Sequence, residues 1–222
     1  MTKLGARRSV LGLDESTDSF HRGAVPQAVF ANAILSISDD LEFRNKFLEI
    51  CDQFDQHLVS QSIVDSIVKD FGTTPRAWEI RAGFLLEQEE EAPAVKKAKA
   101  PQGDSELTRQ EQRALRVYEE AVDALPSNAD MWAAFASFLR DRRALASPSS
   151  GKASHLAALI HQTYSRAAAA KAMTTSMFID WSLFSSNTSS AEDILRQGLV
   201  VHPSSPDLWQ QLLNTQVVYQ SS

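Results

Sequence analysis

The chain has 222 residues, of which 43% are hydrophobic, and its 22 Lys and Arg against 28 Asp and Glu give a formal net charge of −6. This acidic balance argues against nucleic acid as the main ligand, because phosphate binding needs a basic surface. The lone Cys51 excludes an internal disulfide, and the chain lacks the run of about eighteen apolar residues that a membrane span needs.

Apolar residues recur at helical spacing along most of the chain and predict ten helices separated by turns. Residues 1–22 precede the first helix and are expected to form an N-terminal extension. Segments 88–106 and 144–154 are rich in charged or small residues and are predicted to be flexible insertions. The predicted helices are 26–37, 40–54, 57–71, 75–90, 106–125, 129–144, 153–171, 174–186, 190–201 and 206–219.

An internal repeat is clearest in Val117–Trp132, VYEEAVDALPSNADMW. Ala121 lies on the apolar face of one helix, Pro126 ends that helix, and Trp132 opens the next helix eleven residues after Ala121. A small or apolar residue, a turn and an aromatic residue recur with a spacing of ten or eleven in four further places. The five pairs are Ala33 and Phe43, Ile67 and Trp78, Ala121 and Trp132, Ala167 and Phe178, and Gly198 and Trp209.

The repeat predicts the fold. Without the two insertions its period is about 34 residues, the length of a helical hairpin repeat. We therefore expect an all-α, right-handed solenoid of helical hairpins over residues 23–222, as one continuous domain. The small residues let two helices approach closely, and the five leading aromatics are expected in the core rather than stacked on RNA bases. Helix 26–37 is the second helix of a hairpin and 206–219 a first helix. We therefore expect either that the chain is part of a longer array or that Met1–Arg22 and a partner cover the ends.

The second helices of two hairpins carry a family resemblance. LRVYEEAV at 115–122 and QTYSRAAA at 162–169 resemble the second helix of the half-a-tetratricopeptide (HAT) repeat, although Glu120 stands where that family favours Arg. The tetratricopeptide repeat fits less well, because its Leu-Gly-Tyr element follows none of the leading aromatics. HAT proteins belong to RNA-processing assemblies, so the resemblance implies a non-enzymatic protein scaffold without catalytic, cofactor or metal residues.

Within the HAT family, three segments are most similar to the C-terminal part of the branch that belongs to the small-subunit processome. They are 22–34, 42–55 and 63–82. The resemblance implies a role in ribosome biogenesis, a nuclear and nucleolar location, and other processome proteins as partners. It further implies association with snoRNA and pre-rRNA through those partners, no contact with a membrane, and the homo-oligomers that some HAT arrays form.

Two basic groups are candidate partner-facing residues. Lys96, Lys97 and Lys99 follow an acidic run in the first insertion, where a solvated flexible loop is the simpler interpretation. Arg140, Arg142 and Arg143 close a predicted helix, where the helix dipole alone favours cations.

Other functions stay open at the level of sequence. A HAT scaffold of splicing or of mRNA 3′-end cleavage has the same repeat. A tetratricopeptide-like peptide adaptor would present cations three residues after each leading aromatic, but only Lys46 and Arg81 do so. A direct RNA binder would show salt-sensitive affinity. An enzyme is least favoured, because neither Cys51 nor the histidines have an identifiable catalytic partner in the sequence.

Overall fold

The computed structural model describes residues 28, 29, 32, 40–53, 57–88, 107–185 and 188–220. Over these ranges all regular secondary structure is α-helical, which confirms the all-α prediction. None of the helices in this part of the chain is long and apolar enough to cross a membrane. Nine helices are defined there, α1 to α9 in chain order: Leu41–Gln53, His57–Phe71, Pro75–Glu87, Arg109–Ala124, Ala129–Leu145, Gly151–Ala169, Thr175–Phe184, Thr188–Val201 and Pro206–Gln220.

The predicted helices from 40–54 onward correspond one to one to α1–α9, with small shifts at their ends. Ala28, Val29 and Asn32 are helical, while the rest of the predicted helix 26–37 lies outside the described residues. Most of the first predicted insertion, 89–106, also lies outside them. Helix ends are set by local capping, which explains why period and turn residues located them so closely.

The second predicted insertion, 144–154, is much shorter in the structure. Helix α5 continues to Leu145 and α6 begins at Gly151, so only residues 146–150 connect them. Ser150 is the N-cap of α6, and its hydroxyl oxygen accepts a hydrogen bond from the backbone N of Ala153 at 3.2 Å. The Ser- and Ala-rich segment contains a helix cap followed by good helix formers, so helices occupy both of its ends.

Capping interactions also define the start of α4 and the end of α6. Thr108 and Glu111 form a reciprocal capping box at the start of α4, with distances of 3.1 and 2.8 Å. After α6 the chain turns at Lys171, whose φ of 57° is left-handed. The backbone N of Ala172 donates to the carbonyl of Ala167 at 2.9 Å, and that of Lys171 to the carbonyl of Ala168 at 3.0 Å. This is a Schellman ending, which directs the chain back toward α7.

The helices fall into two compact units. In the first unit α1 packs on α2 and α2 on α3, around a core that includes Leu48, Ile63, Ile67 and Ile80. The second unit contains α5–α9 and both ends of α4, while Arg113–Val117 are grouped with the first unit. In it α5 packs on α6, α7 on α8, and α8 on α9. The connections within α1–α3 and within α5–α9 are short, as expected for helical hairpins, and one continuous solenoid over 23–222 stays a prediction.

Candidate interaction surfaces

Three leading aromatics make the same hydrogen bond to the turn before their helix. In each case the indole Nε1 donates to the backbone oxygen of the residue six positions earlier, at 2.8 to 3.0 Å. The bond satisfies a carbonyl just beyond the end of the preceding helix, so it fixes the turn against the next helix. Pro126 and Pro203 each lie six residues before a tryptophan in the sequence, but the bond itself is seen only in the structure. The three pairs are Trp78 with Gly72, Trp132 with Pro126, and Trp209 with Pro203.

Most of the repeat-defining residues are buried, but not all. Phe43 is only half-buried, and Ala33 lies outside the described residues. Trp209 is 51% exposed, so the expected core position does not hold there. The buried face of α9 carries Leu208 and Leu212 instead, and Trp209 lies beside that face. The buried members are Ile67, Trp78, Ala121, Trp132, Ala167, Phe178 and Gly198.

Gly198 on α8 shows what a small residue does in this repeat. A Cβ atom at this position would lie 2.9 Å from Cγ of Phe178 and 3.2 Å from Cδ2 of Leu208. Carbon atoms pack at about 3.5–4.0 Å, so only glycine permits this approach of α8 to both neighbours. The aromatic opposite Gly198 is therefore Phe178 of the preceding helix, and not Trp209, with which the sequence template paired it.

The predicted basic residues at the end of α5 mainly make contacts within the second unit. Arg140 Nη1 lies 2.7 Å from Asp180 Oδ2 on α7. The guanidinium of Arg143 lies 4.5 Å from the ring centre of Phe184, also on α7, and that of Arg142 lies 5.9 Å from the ring of Phe138. Arg140 and Arg143 thus join α5 to α7, and a partner-facing role for the three arginines stays a prediction. Lys96, Lys97 and Lys99 lie outside the described residues.

Two side chains, Cys51 and Tyr164, have pKa values that burial in the helical core raises. Burial raises the pKa of Cys51 to about 11. Burial also raises the pKa of Tyr164 to about 12, while the charge of Arg140 lowers it and that of Asp180 raises it by smaller amounts. Both groups are therefore neutral near pH 7, whereas a nucleophilic cysteine needs a lowered pKa. His161 accepts a hydrogen bond at Nδ1 from the indole of Trp181, at 3.0 Å. Within the described ranges, no three His, Cys, Asp or Glu side chains are grouped so that they could hold a metal ion.

A groove of about 510 Å³ runs between α1 and α3 in the first unit. Its floor contains Leu48, Ile80 and Phe84. Four carboxylates and one guanidinium line it, so its potential is negative. Helices α1 and α3 carry the leading aromatics of successive hairpins, and the groove therefore lies between two equivalent elements of the repeat. We call it the acidic groove; its charged residues are Glu49, Asp52, Glu79, Glu87 and Arg76.

Comparison with known proteins finds similarity over half of the chain. No protein-family profile matches. The chain is 34% identical over 126 residues, 54% of its length, to the U3 small nucleolar RNA-associated protein 6 homolog of Mus musculus. It is also 34% identical over 125 residues to the Homo sapiens protein of the same name. In both cases the aligned part covers 20% of the relative.

Proposed function

We propose that the chain is a non-enzymatic protein-binding scaffold of the nucleolar small-subunit processome, built from HAT repeats. The observation that carries the proposal is the 34% identity over 126 residues to relatives named for their association with U3 small nucleolar RNA. The all-helical hairpins and the recurring bond between a tryptophan and its preceding turn support the repeat. On this proposal the relatives' association with U3 small nucleolar RNA extends to this chain, and its role lies in ribosome biogenesis.

The mechanism of a helical scaffold is the presentation of helix faces and the grooves between them. The acidic groove is the described surface whose chemistry most clearly selects a partner. Exposed Glu49, Asp52 and Glu87 line it around an apolar floor, and Arg76 is already paired with Glu79 at 3.2 Å. Such a groove fits a Lys- or Arg-rich partner segment. The carboxylates attract the cationic ends of its side chains, whose aliphatic parts pack on the apolar floor of the groove.

An indirect association with RNA follows from the same charges. A chain of net charge −6 is a poor ligand for phosphates, and the carboxylates of the acidic groove repel them. Protein partners with basic segments would instead connect the scaffold to RNA. The direct RNA binder is therefore disfavoured relative to the protein scaffold.

The proposed function is tested by capturing the tagged chain from a nuclear extract, with and without ribonuclease, and identifying co-purifying proteins by mass spectrometry. We expect small-subunit processome proteins in both samples, because the contacts proposed are protein contacts. Recovery of splicing factors, mRNA 3′-end cleavage factors or chaperones in their place would contradict the processome assignment. Recovery that ribonuclease abolishes would show that RNA, not protein, mediates the association.

Charge reversal in the acidic groove should weaken binding of a basic segment. With a fluorescently labelled oligolysine peptide as probe, we expect Glu49→Lys with Asp52→Lys to lower the affinity about tenfold or more at low ionic strength. Glu42→Lys with Asp65→Lys is the matched control, since both residues are exposed in the same unit, lie outside the groove lining and give the same net charge. Equal losses in the two double variants would show that net charge, and not the groove, attracts the probe.

A further inference from the structure

Gly83 lies inside helix α3, on the wall of the acidic groove. Glycine within a helix destabilises that helix relative to alanine, and its use there is to let another group approach the backbone. At Gly198 that group is the ring of Phe178, 2.9 Å from the position of a Cβ atom. A Cβ atom at Gly83 would instead have no heavy atom of another helix or side chain within 4 Å. The packing of the described residues therefore does not explain this glycine.

The repeat does not require glycine at this position either. Gly83 follows the leading aromatic Trp78 by five residues, and each other copy carries a side chain there. On α1 the equivalent residue is Leu48, which is buried on the floor of the same groove. Glycine on α3 therefore leaves open a space that a side chain would occupy. The equivalent residues are Leu48, Ser137, Leu183 and Asn214.

Carboxylates flank the space beside Gly83, which we call the Gly83 notch. Glu79 and Glu87 lie four residues before and after Gly83, so the three residues share one side of α3. Two exposed carboxylates of α1 line the opposite wall. Glu79 is paired with Arg76 at 3.2 Å, whereas the other three carboxylates of the groove have no cationic partner among the described residues. The notch therefore lies where a cation from outside the chain is attracted.

We propose that the Gly83 notch seats one arginine side chain of a basic partner segment, so that Gly83 makes the acidic groove selective for arginine over lysine. The aliphatic part of that side chain crosses α3 where no Cβ atom obstructs it, over the apolar floor of Ile80 and Phe84. The guanidinium then reaches the carboxylates on either wall. This specificity rests on the proposed function of the groove as a site for basic partner segments.

The preference for arginine follows from the shape of its cationic group. A guanidinium is planar, so it donates two parallel hydrogen bonds to one carboxylate and stacks on an aromatic ring, here the half-buried ring of Phe84. The same unit already holds an arginine in this way. Arg44 forms an ion pair with Asp70, and its guanidinium lies 4.8 Å from the ring centre of Phe71. A lysine ammonium gains the charge attraction without the stacking or the paired bonds.

The probes for the notch are two fluorescently labelled peptides, heptalysine and the same peptide with arginine at its central position. Both peptides carry the same charge, so a difference in affinity reports on the shape of one side chain. Binding to the full chain is followed by fluorescence anisotropy at low ionic strength. We expect the arginine peptide to bind about threefold more tightly or better.

Replacing Gly83 separates this role from a role in the fold. Gly83→Gln should raise the urea midpoint of the first unit, because Gln is the better helix former and its Cβ atom meets no neighbour. The same substitution should abolish the preference for the arginine peptide, because the Gln side chain fills the notch. Ser62→Gln is the matched control, since Ser62 is exposed on α2 of the same unit and lies outside the groove lining. It should leave the preference within about 1.5-fold of that of the unaltered chain.

Each other result overturns the proposal. Equal affinities of the two peptides, or a preference for arginine that survives Gly83→Gln, would show that the notch does not select arginine. A preference that Ser62→Gln also removes would place the effect outside the notch. A lower urea midpoint for Gly83→Gln would show that this glycine serves the fold. A dimer of the chain in sedimentation, dissociated by Gly83→Gln, would assign the notch to a second copy.

The same measurements distinguish failure of the notch from failure of the proposed function. Equal affinities of the two peptides, both weakened by Glu49→Lys with Asp52→Lys, would retain the acidic groove and remove only its preference for arginine. Failure of the processome capture, with the preference intact in the unaltered chain and absent in Gly83→Gln, would overturn the proposed function and leave the specificity of the groove.

Discussion

Replacing Trp132 with alanine should lower the free energy of unfolding by about 3–5 kcal/mol. The side chain is 3% exposed, Arg166 covers its ring at 5.4 Å, and Nε1 donates to the carbonyl of Pro126 at 2.8 Å. The substitution therefore leaves a large cavity between α5 and α6 and removes the hydrogen bond to the turn. Urea unfolding followed by circular dichroism, with the transitions of the two units fitted separately, measures the loss, since fluorescence would change with the tryptophan itself.

Trp209→Ala is the matched control for this prediction. Trp209 donates the same hydrogen bond, to Pro203 at 3.0 Å, but is 51% exposed. We expect a loss of about 1 kcal/mol, close to the contribution of one hydrogen bond with modest burial. Trp132→Phe keeps most of the ring and removes the donor, so its loss should lie between the two. Equal losses for Trp132→Ala and Trp209→Ala would mean that the bond to the turn, and not burial, stabilises the repeat.

Replacing Arg44 with alanine should lower the free energy of unfolding by about 2–4 kcal/mol. Its side chain is 1% exposed although it is charged, and it forms an ion pair with Asp70 of α2. Its Nη1 also donates to the backbone oxygen of Ser66 at 3.0 Å, and its guanidinium lies 4.8 Å from the ring centre of Phe71. One residue of α1 thus makes polar and aromatic contacts with the last turns of α2.

The size of the Arg44 effect depends on what the substitution leaves behind. Asp70 is 41% exposed, so water can solvate its carboxylate after the arginine is removed. Arg44→Met keeps much of the volume and should therefore cost less, about 1–2 kcal/mol. Arg76→Ala breaks the exposed pair with Glu79, whose side chains are 56% and 34% exposed, and should cost less than about 0.5 kcal/mol.

Amide hydrogen exchange distinguishes the Arg44 prediction from a general loss of stability. The chain has two compact units, so a single unfolding midpoint does not describe both. Arg44→Ala should accelerate exchange throughout α1–α3, and Trp132→Ala throughout α5 and α6. Arg44→Ala that leaves exchange in α1–α3 unchanged would show that the buried ion pair contributes little to that unit.

The sequence by itself determined the helices and their repeat. Period and capping residues are local properties, so Pro75, Asn128 and Ser205 mark helix starts without reference to the rest of the chain. The spacing of six between a turn and its tryptophan is local as well. The sequence alone shows it at Pro126 and Pro203, each of which accepts the hydrogen bond in the structure.

Only the tertiary structure decided which residues meet. Arg44 is indistinguishable from a surface cation in the sequence, because its partner Ser66 lies 22 residues away on another helix. The ring next to Gly198 belongs to Phe178 of the preceding helix, whereas the eleven-residue spacing in the sequence pairs Gly198 with Trp209. Trp209 fits the repeat as well as Trp132 does, yet one is exposed and the other buried. The burial of a residue depends on which neighbouring helix covers it. The sequence around that residue does not identify this helix.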